Sequence, residues 1–222
     1  MPDKPEKTQN PEEQGLNRRQ FLRGVGAVGA GTALAAELLH PETAEAKPAP
    51  LAQPPKGQTL AKGMHSITLT VNGQATTMEV EPRTTLLNAL RNHAEPPITG
   101  PKLVCDQGAC GGCTVLIDGK TAYGCMQLAV DVVGRKITTV EGLEKNGKLS
   151  PVQEAFVEKD AMMCGFCTPG FVMSVTALLN TNPNPTVGDI QHACAGNVCR
   201  CGTYPRVFEA ALDAAKKMRG GA

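Results

Sequence analysis

Cys105-Asp-Gln-Gly-Ala-Cys110-Gly-Gly-Cys113-Thr-Val115 is the stretch on which the reading of this chain turns. It sets three thiols at Cys-x4-Cys-x2-Cys spacing, and Cys125 follows after eleven further residues. Three thiolates from one loop and a distant fourth form the ligand set of a [2Fe–2S] cluster. Gly108, Gly111 and Gly112 lie inside the loop, where a chain wrapped around an inorganic core needs positive φ and close backbone approach. Zinc is the alternative, but closed zinc sites usually use two short cysteine knuckles, for which a nine-residue loop with three cysteines is unusual.

The residues around this loop alternate in a β-like way. Upstream, Ile67, Leu69 and Val71 alternate with Thr68 and Thr70, and Asn72-Gly73 separates them from Thr76 to Val80, which is a hairpin signal. Leu86, Leu87, Ala89 and Leu90 have helical spacing, with Thr84 or Thr85 as N-cap and an end before Pro96-Pro97. Downstream, Cys113 to Ile117 runs into the turn signal Asp118-Gly119, and Lys136 to Val140 is a further β-leaning run. After Gly147 the period changes. Ser150-Pro151, Thr168-Pro169, Thr186 to His192 and Pro205 to Met218 mark four short helices.

The N-terminal segment reads as processing information. Asn17-Arg18-Arg19-Gln20-Phe21-Leu22-Arg23 precedes the weakly apolar run Gly24 to Ala36, as in a twin-arginine export signal. Ala44-Glu45-Ala46 offers cleavage after Ala46, with Ala33-Leu34-Ala35 a weaker choice. The apolar run is thirteen residues, short of the roughly 20 that cross a bilayer, so no membrane span is expected. From Lys47 the chain is rich in Pro, Ala and Gln and reads as a linker. The expected organisation is a signal segment over 1–46, a linker over 47–64, a first domain over 65–144 and a helical domain over 145–222.

Of 222 residues, 41% are apolar and 19% charged, which is the composition of a folding chain. Lys plus Arg number 22 against 21 for Asp plus Glu, and aromatics are 3%, so nucleic-acid binding has neither its basic field nor its stacking rings. Beyond the first four cysteines, Cys164-Gly-Phe-Cys167 opens one helical pattern and Cys199-Arg-Cys201 precedes another. Zinc, a redox disulfide or iron would each suit that second set. An export signal read on folded proteins favours metal loaded in the cytosol over disulfides formed outside. Cys194, between two alanines, reads as a small buried hydrophobe. His40, His65, His93 and His192 lack the spacing of a Rieske centre, and no Ser/His/Asp set, P-loop or dinucleotide turn is present. No residue is nominated as catalytic.

Three motifs in order, Cys105 to Val115, Cys164-Gly-Phe-Cys-Thr-Pro-Gly170 and Gly196-Asn-Val-Cys-Arg-Cys-Gly202, resemble the iron–sulfur subunits of the xanthine dehydrogenase family of molybdenum hydroxylases. The resemblance runs from about Ile67 to Lys217, and with the export signal it is nearest to subunits of periplasmic aldehyde oxidoreductases. Cys-Gly-Thr-Tyr-Pro-Arg206 is also similar to isoquinoline oxidoreductase small subunits.

The resemblance implies an α+β chain. A β-grasp, plant-type ferredoxin-like domain would precede an all-α four-helix bundle, each with one [2Fe–2S] cluster. Cys105, Cys110, Cys113 and Cys125 would hold one, and Cys164, Cys167, Cys199 and Cys201 the other. It further implies an electron-transfer subunit that converts no substrate itself. Its large partner would hold the molybdopterin and act on aldehydes or N-heterocycles, and a flavin subunit or a cytochrome, with FAD or haem, would take the electrons. Cys201 would touch the pterin edge. Met163 stands where many members place a pterin-bonding Gln; a thioether donates nothing, so that contact is lost from the pattern. Two other readings remain: a self-standing exported two-cluster ferredoxin, and a disulfide- or zinc-stabilised binding protein.

Overall fold

The computed structural model describes residues 62–220; the expected signal segment, cleavage sites and most of the linker lie outside them. All described residues belong to one compact unit, Thr59–Ala222. Its first strands are β1 (His65–Val71) and β2 (Gln74–Val80), paired antiparallel from His65↔Val80 to Val71↔Gln74. Asn72 and Gly73 make the turn with φ of 51° and 81°, the double left-handed geometry that matches strand twist. Leu69, Val71, Met78 and Val80 all point into the core.

β3 (Thr114–Ile117), β4 (Lys120–Tyr123) and β5 (Lys136–Thr138) complete a sheet of order β2-β1-β5-β3-β4, in which β5 runs parallel to β1 and antiparallel to β3. All four residues of β3 are buried, so the strand is covered on both faces, and this is why it reads as an unbroken run rather than an alternation. A partly buried polar strut centred on Thr139 braces the sheet end. The Asn72 amide donates to Thr139 Oγ1, Thr139 N donates back to Asn72 Oδ1, and the Thr139 hydroxyl continues to Glu141.

The helix expected after the hairpin is shorter and wider than its spacing suggests. Thr85 caps α1 (Leu86–Asn88), after which Ala89–His93 forms a π turn closed by Ala94 N donating to Ala89 O at 3.0 Å. Arg91 then ties the following loop by donating to Thr99 O and Pro101 O, both at 2.8 Å. These carbonyls lead directly into the first cysteine loop.

The second half holds the four expected helices, α2 (Pro151–Glu158), α3 (Thr168–Thr181), α4 (Val187–Cys194) and α5 (Tyr204–Gly220). Ser150 with Gln153 and Thr186 with Asp189 form reciprocal capping boxes that fix two of the starts. Their shared core is separate from the sheet's. Among its sixteen buried residues six are alanine: Ala155, Ala161, Ala210, Ala211, Ala214 and Ala215. Four of these six lie on α5, which packs against α2, where Lys217 reaches Glu158 at 2.7 Å and Glu154 at 3.4 Å.

Candidate metal centres

The Cys105–Cys113 loop turns through three left-handed residues, Asp106 (φ 53°), Gly108 (φ 73°) and Gly111 (φ 68°). Gly112, expected to share this geometry, does not; a Cβ there would meet Val104 Cγ2 at 3.1 Å, a tight approach to an exposed side chain. Cys125 arrives on a short 3-10 turn after β4, held by Gly124 N donating to Cys113 O. Cys113 and Cys125 are buried with their sulfurs 3.4 Å apart, while Cys105 faces Cys110. Backbone N–H groups of Gln107, Ala109 and Cys110 point at the Cys105 sulfur and, with Gln107 the strongest, hold its thiol down to about 7. Burial instead pushes Cys113 up to about 12. One side of the site thus already favours a sulfur anion, and the other needs a metal to take its proton's place.

The second set comes together from two places in sequence. Gly165 turns the Cys164–Cys167 segment with φ of 80°, and Gly202 turns the chain after Cys201 with φ of 82°. Cys167 lies against Cys199, and Cys164 against Cys201. Burial raises Cys167 to about 12. Burial also acts to raise Cys199, but the Thr203 hydroxyl at 3.0 Å and the Thr203 backbone, joined by Cys167 and the Cys201 backbone, together outweigh it and bring that thiol to about 7. Cys199 N donates to Tyr204 Oη at 2.8 Å, which fixes the ligand loop to the first residue of α5.

Both sets are therefore pairs of pairs. All nine cysteines are free thiols, and 3.4 Å between Cys113 and Cys125 is far beyond the roughly 2.05 Å of a disulfide. Two thiolates on one tetrahedral metal, with bonds of about 2.3 Å, would stand about 3.8 Å apart. Among the described residues no three His, Cys, Asp or Glu converge as a single-ion site would require. The donor chemistry, thiolates alone and brought together in pairs, would fit an iron–sulfur group. His65 lies on β1, His93 at the end of the π turn and His192 on α4, none of them in a cysteine loop.

Cys194 is 3% exposed at the end of α4 within the helical core, and burial alone raises its thiol to about 12. Cys194→Ser is expected to leave iron content unchanged and to cost a small amount of stability. Loss of iron in that variant, measured by metal analysis, would reassign the second ligand set.

Sequence reasoning missed the residues that join the two sites. Asn197, 4% exposed, donates from Nδ2 to Gly111 O at 3.0 Å and Thr114 Oγ1 at 3.4 Å, and accepts from Ser174 Oγ at 2.7 Å. Beside it Val198 N donates to Cys110 O at 2.9 Å, and Tyr123 donates to Gly196 O. The backbone runs so close here that a Cβ on Gly170 or Gly111 would collide with the opposite half. On the outer side, Met163 is 70% exposed and lines an open cleft with Asp160, Met162, Gly202, Thr203 and Arg206, so the structure places it beside the Cys201 turn.

Residues 69–167 match the family model of a 2Fe-2S iron-sulfur cluster binding domain, and residues 139–212 that of a [2Fe-2S] binding domain. The chain is 37% identical over 224 residues to the aldehyde oxidoreductase iron-sulfur-binding subunit PaoA of Escherichia coli O157:H7, covering 94% of this chain and 92% of that one. The chain belongs to the iron–sulfur subunits of the molybdenum hydroxylases. Within this family of subunits it is also 49% identical to the nicotine 6-hydroxylase small subunit of Paenarthrobacter nicotinovorans, over 67% of this chain and 88% of that one. Among solved structures, quinoline 2-oxidoreductase from Pseudomonas putida 86 aligns with a TM-score of 0.67 and 39% identity, over 71% of this chain and 98% of the matched chain. Residues 15–35 match a twin-arginine translocation signal, which directs export to the periplasm. Among the described residues no helix is long and apolar enough to cross a membrane.

Proposed function

We propose that this subunit carries one [2Fe–2S] group on Cys105, Cys110, Cys113 and Cys125, and a second on Cys164, Cys167, Cys199 and Cys201. A β-grasp ferredoxin-like module over 65–144 would hold the first, and a four-helix module over 145–222 the second. When bound, each group supplies a one-electron carrier. The chain thereby serves a large molybdopterin-bearing partner subunit acting on aldehydes or N-heterocycles, with a flavin subunit or a cytochrome as acceptor.

The observation that carries this reading is the bond between Val198 N and Cys110 O. Val198 is covalently joined to Cys199, so a ligand of one set and a ligand of the other are separated by a single hydrogen bond and a few covalent ones. Asn197 holds the same two loops in register. The exposed side chains of Met163 and Phe166, beside the second set, suit burial against a partner more than exposure to water. A self-standing carrier has no use for that face.

Native purification from the periplasm tests the proposal. The expected result is co-purification with a large molybdenum-containing subunit and two distinct paramagnetic species on full reduction. A chain that elutes alone with both species present would favour the self-standing ferredoxin, and a single species would remove one of the two ligand sets.

A further inference from the structure

Among the described residues, one buried side-chain polar atom has no hydrogen-bond partner, Thr168 Oγ1. It belongs to the first residue of α3 and directly follows Cys167. The other threonines of the helix show what such a hydroxyl ordinarily does. Thr176 donates to Val172 O at 2.7 Å, and Thr181 donates to Leu178 O at 2.9 Å, each back into the preceding turn. Thr168 has no preceding turn. The residue four earlier is Cys164, beyond the left-handed bend at Gly165, and no bond to it forms. An orphaned buried hydroxyl costs free energy; such groups are ordinarily paired with protein or ordered water, and an exception beside a ligand set calls for a partner in the group that the set holds.

We infer that the Thr168 hydroxyl donates a hydrogen bond to a sulfur of the group held by Cys164, Cys167, Cys199 and Cys201, and so raises its reduction potential. This rests on the second ligand set proposed above. The physical basis is charge. Adding one electron makes the sulfurs more negative, a donor beside them stabilises that state more than the oxidised one, and hydrogen bonds to sulfur are among the determinants of cluster potential. The first set has its donors from backbone, in the N–H groups of Gln107, Ala109 and Cys110. At the second set Thr168 would be a side-chain counterpart, and so open to substitution.

The test is potentiometric reduction of the full chain in its complex, followed by electron paramagnetic resonance, with dithionite as reductant. Thr168→Val keeps the shape and removes the hydroxyl; Thr168→Ser keeps the hydroxyl. For Thr168→Val the reduced-to-oxidised ratio of the helical-half species at a fixed potential should fall by about fivefold, a factor on the scale of one ordinary hydrogen bond. The other species should not move, and Thr168→Ser should stay near wild type. If Thr168→Val leaves both species at their wild-type potentials and merely raises thermal stability, the hydroxyl is an ordinary buried orphan and the inference falls. If instead the wild-type chain shows one species and half the expected iron, it is the ligand assignment that fails, independently of Thr168.

Discussion

Asn197→Ala is expected to lower the stability of the chain by about 3 kcal/mol, because it strands several buried groups at once and each costs roughly 1–3 kcal/mol when left without a partner. The amide donates to Gly111 O and Thr114 Oγ1 and accepts from Ser174 Oγ, and all of these sit between the halves of the molecule. For a domain of this size that loss corresponds to a fall in melting temperature of about 10 °C. Asn197→Asp should be no better, since it keeps the acceptor for Ser174 but turns a negative oxygen towards the Gly111 carbonyl. Calorimetry on the iron-loaded protein checks both. A loss below about 1 kcal/mol for the alanine variant would mean that water replaces the amide and that Asn197 is no fastener.

Gly170→Ala sets two effects against each other. Inside a helix the change ordinarily gains up to about 1 kcal/mol. Here the added methyl would lie 2.9 Å from Asn197 Nδ2 and 3.2 Å from the Gly111 carbonyl carbon, in contact with that carbonyl oxygen. None of these is the free end of a flexible side chain, so α3 must move off the cysteine loop, and overpacking of this kind costs about 1–3 kcal/mol. The steric term should win. Gly188→Ala, in α4, is the control: its nearest neighbour is Thr186 Oγ1 at 3.7 Å, so propensity acts unopposed and the variant should be slightly more stable. Opposite signs for the two variants in thermal unfolding are the expected outcome, and a stabilised Gly170→Ala would show that the halves are less closely packed than these distances require.

What could be read beforehand was what is encoded locally. The Asn72-Gly73 hairpin and the helix starts at Ser150 and Thr186 depend on residues a few positions apart and took their expected form, and the Cys105–Cys113 loop did so at Gly108 and Gly111 but not at Gly112. The pairing of Cys167 with Cys199 was implied only by resemblance, because thirty-two positions separate them. Asn197 escaped because its partner Gly111 lies 86 residues away and an isolated Asn carries no periodic signal. The glycines at 170 and 196 were the available hint: in a helix start and beside a ligand motif, neither position needs a left-handed φ, so what they supply is close approach. The π turn at Ala89–His93 was invisible for another reason, since its buried residues satisfy ordinary helical spacing equally well.

The alanines of the helical core bear on how long this subunit survives in a cell. A buried alanine removes a single methyl from water, worth far less than the roughly 1.5–3 kcal/mol of a leucine or phenylalanine. With six alanines among sixteen buried residues, this half gains modest hydrophobic stabilisation for the length of chain it orders. Metal binding adds to folding free energy wherever the ligands are scattered in the unfolded chain, and Cys164 and Cys201 stand on either side of two of these helices. Iron scarcity would thus act first on turnover: the uncharged subunit would open more often, meet proteases sooner and disappear, so that its abundance would follow the iron supply even at constant synthesis.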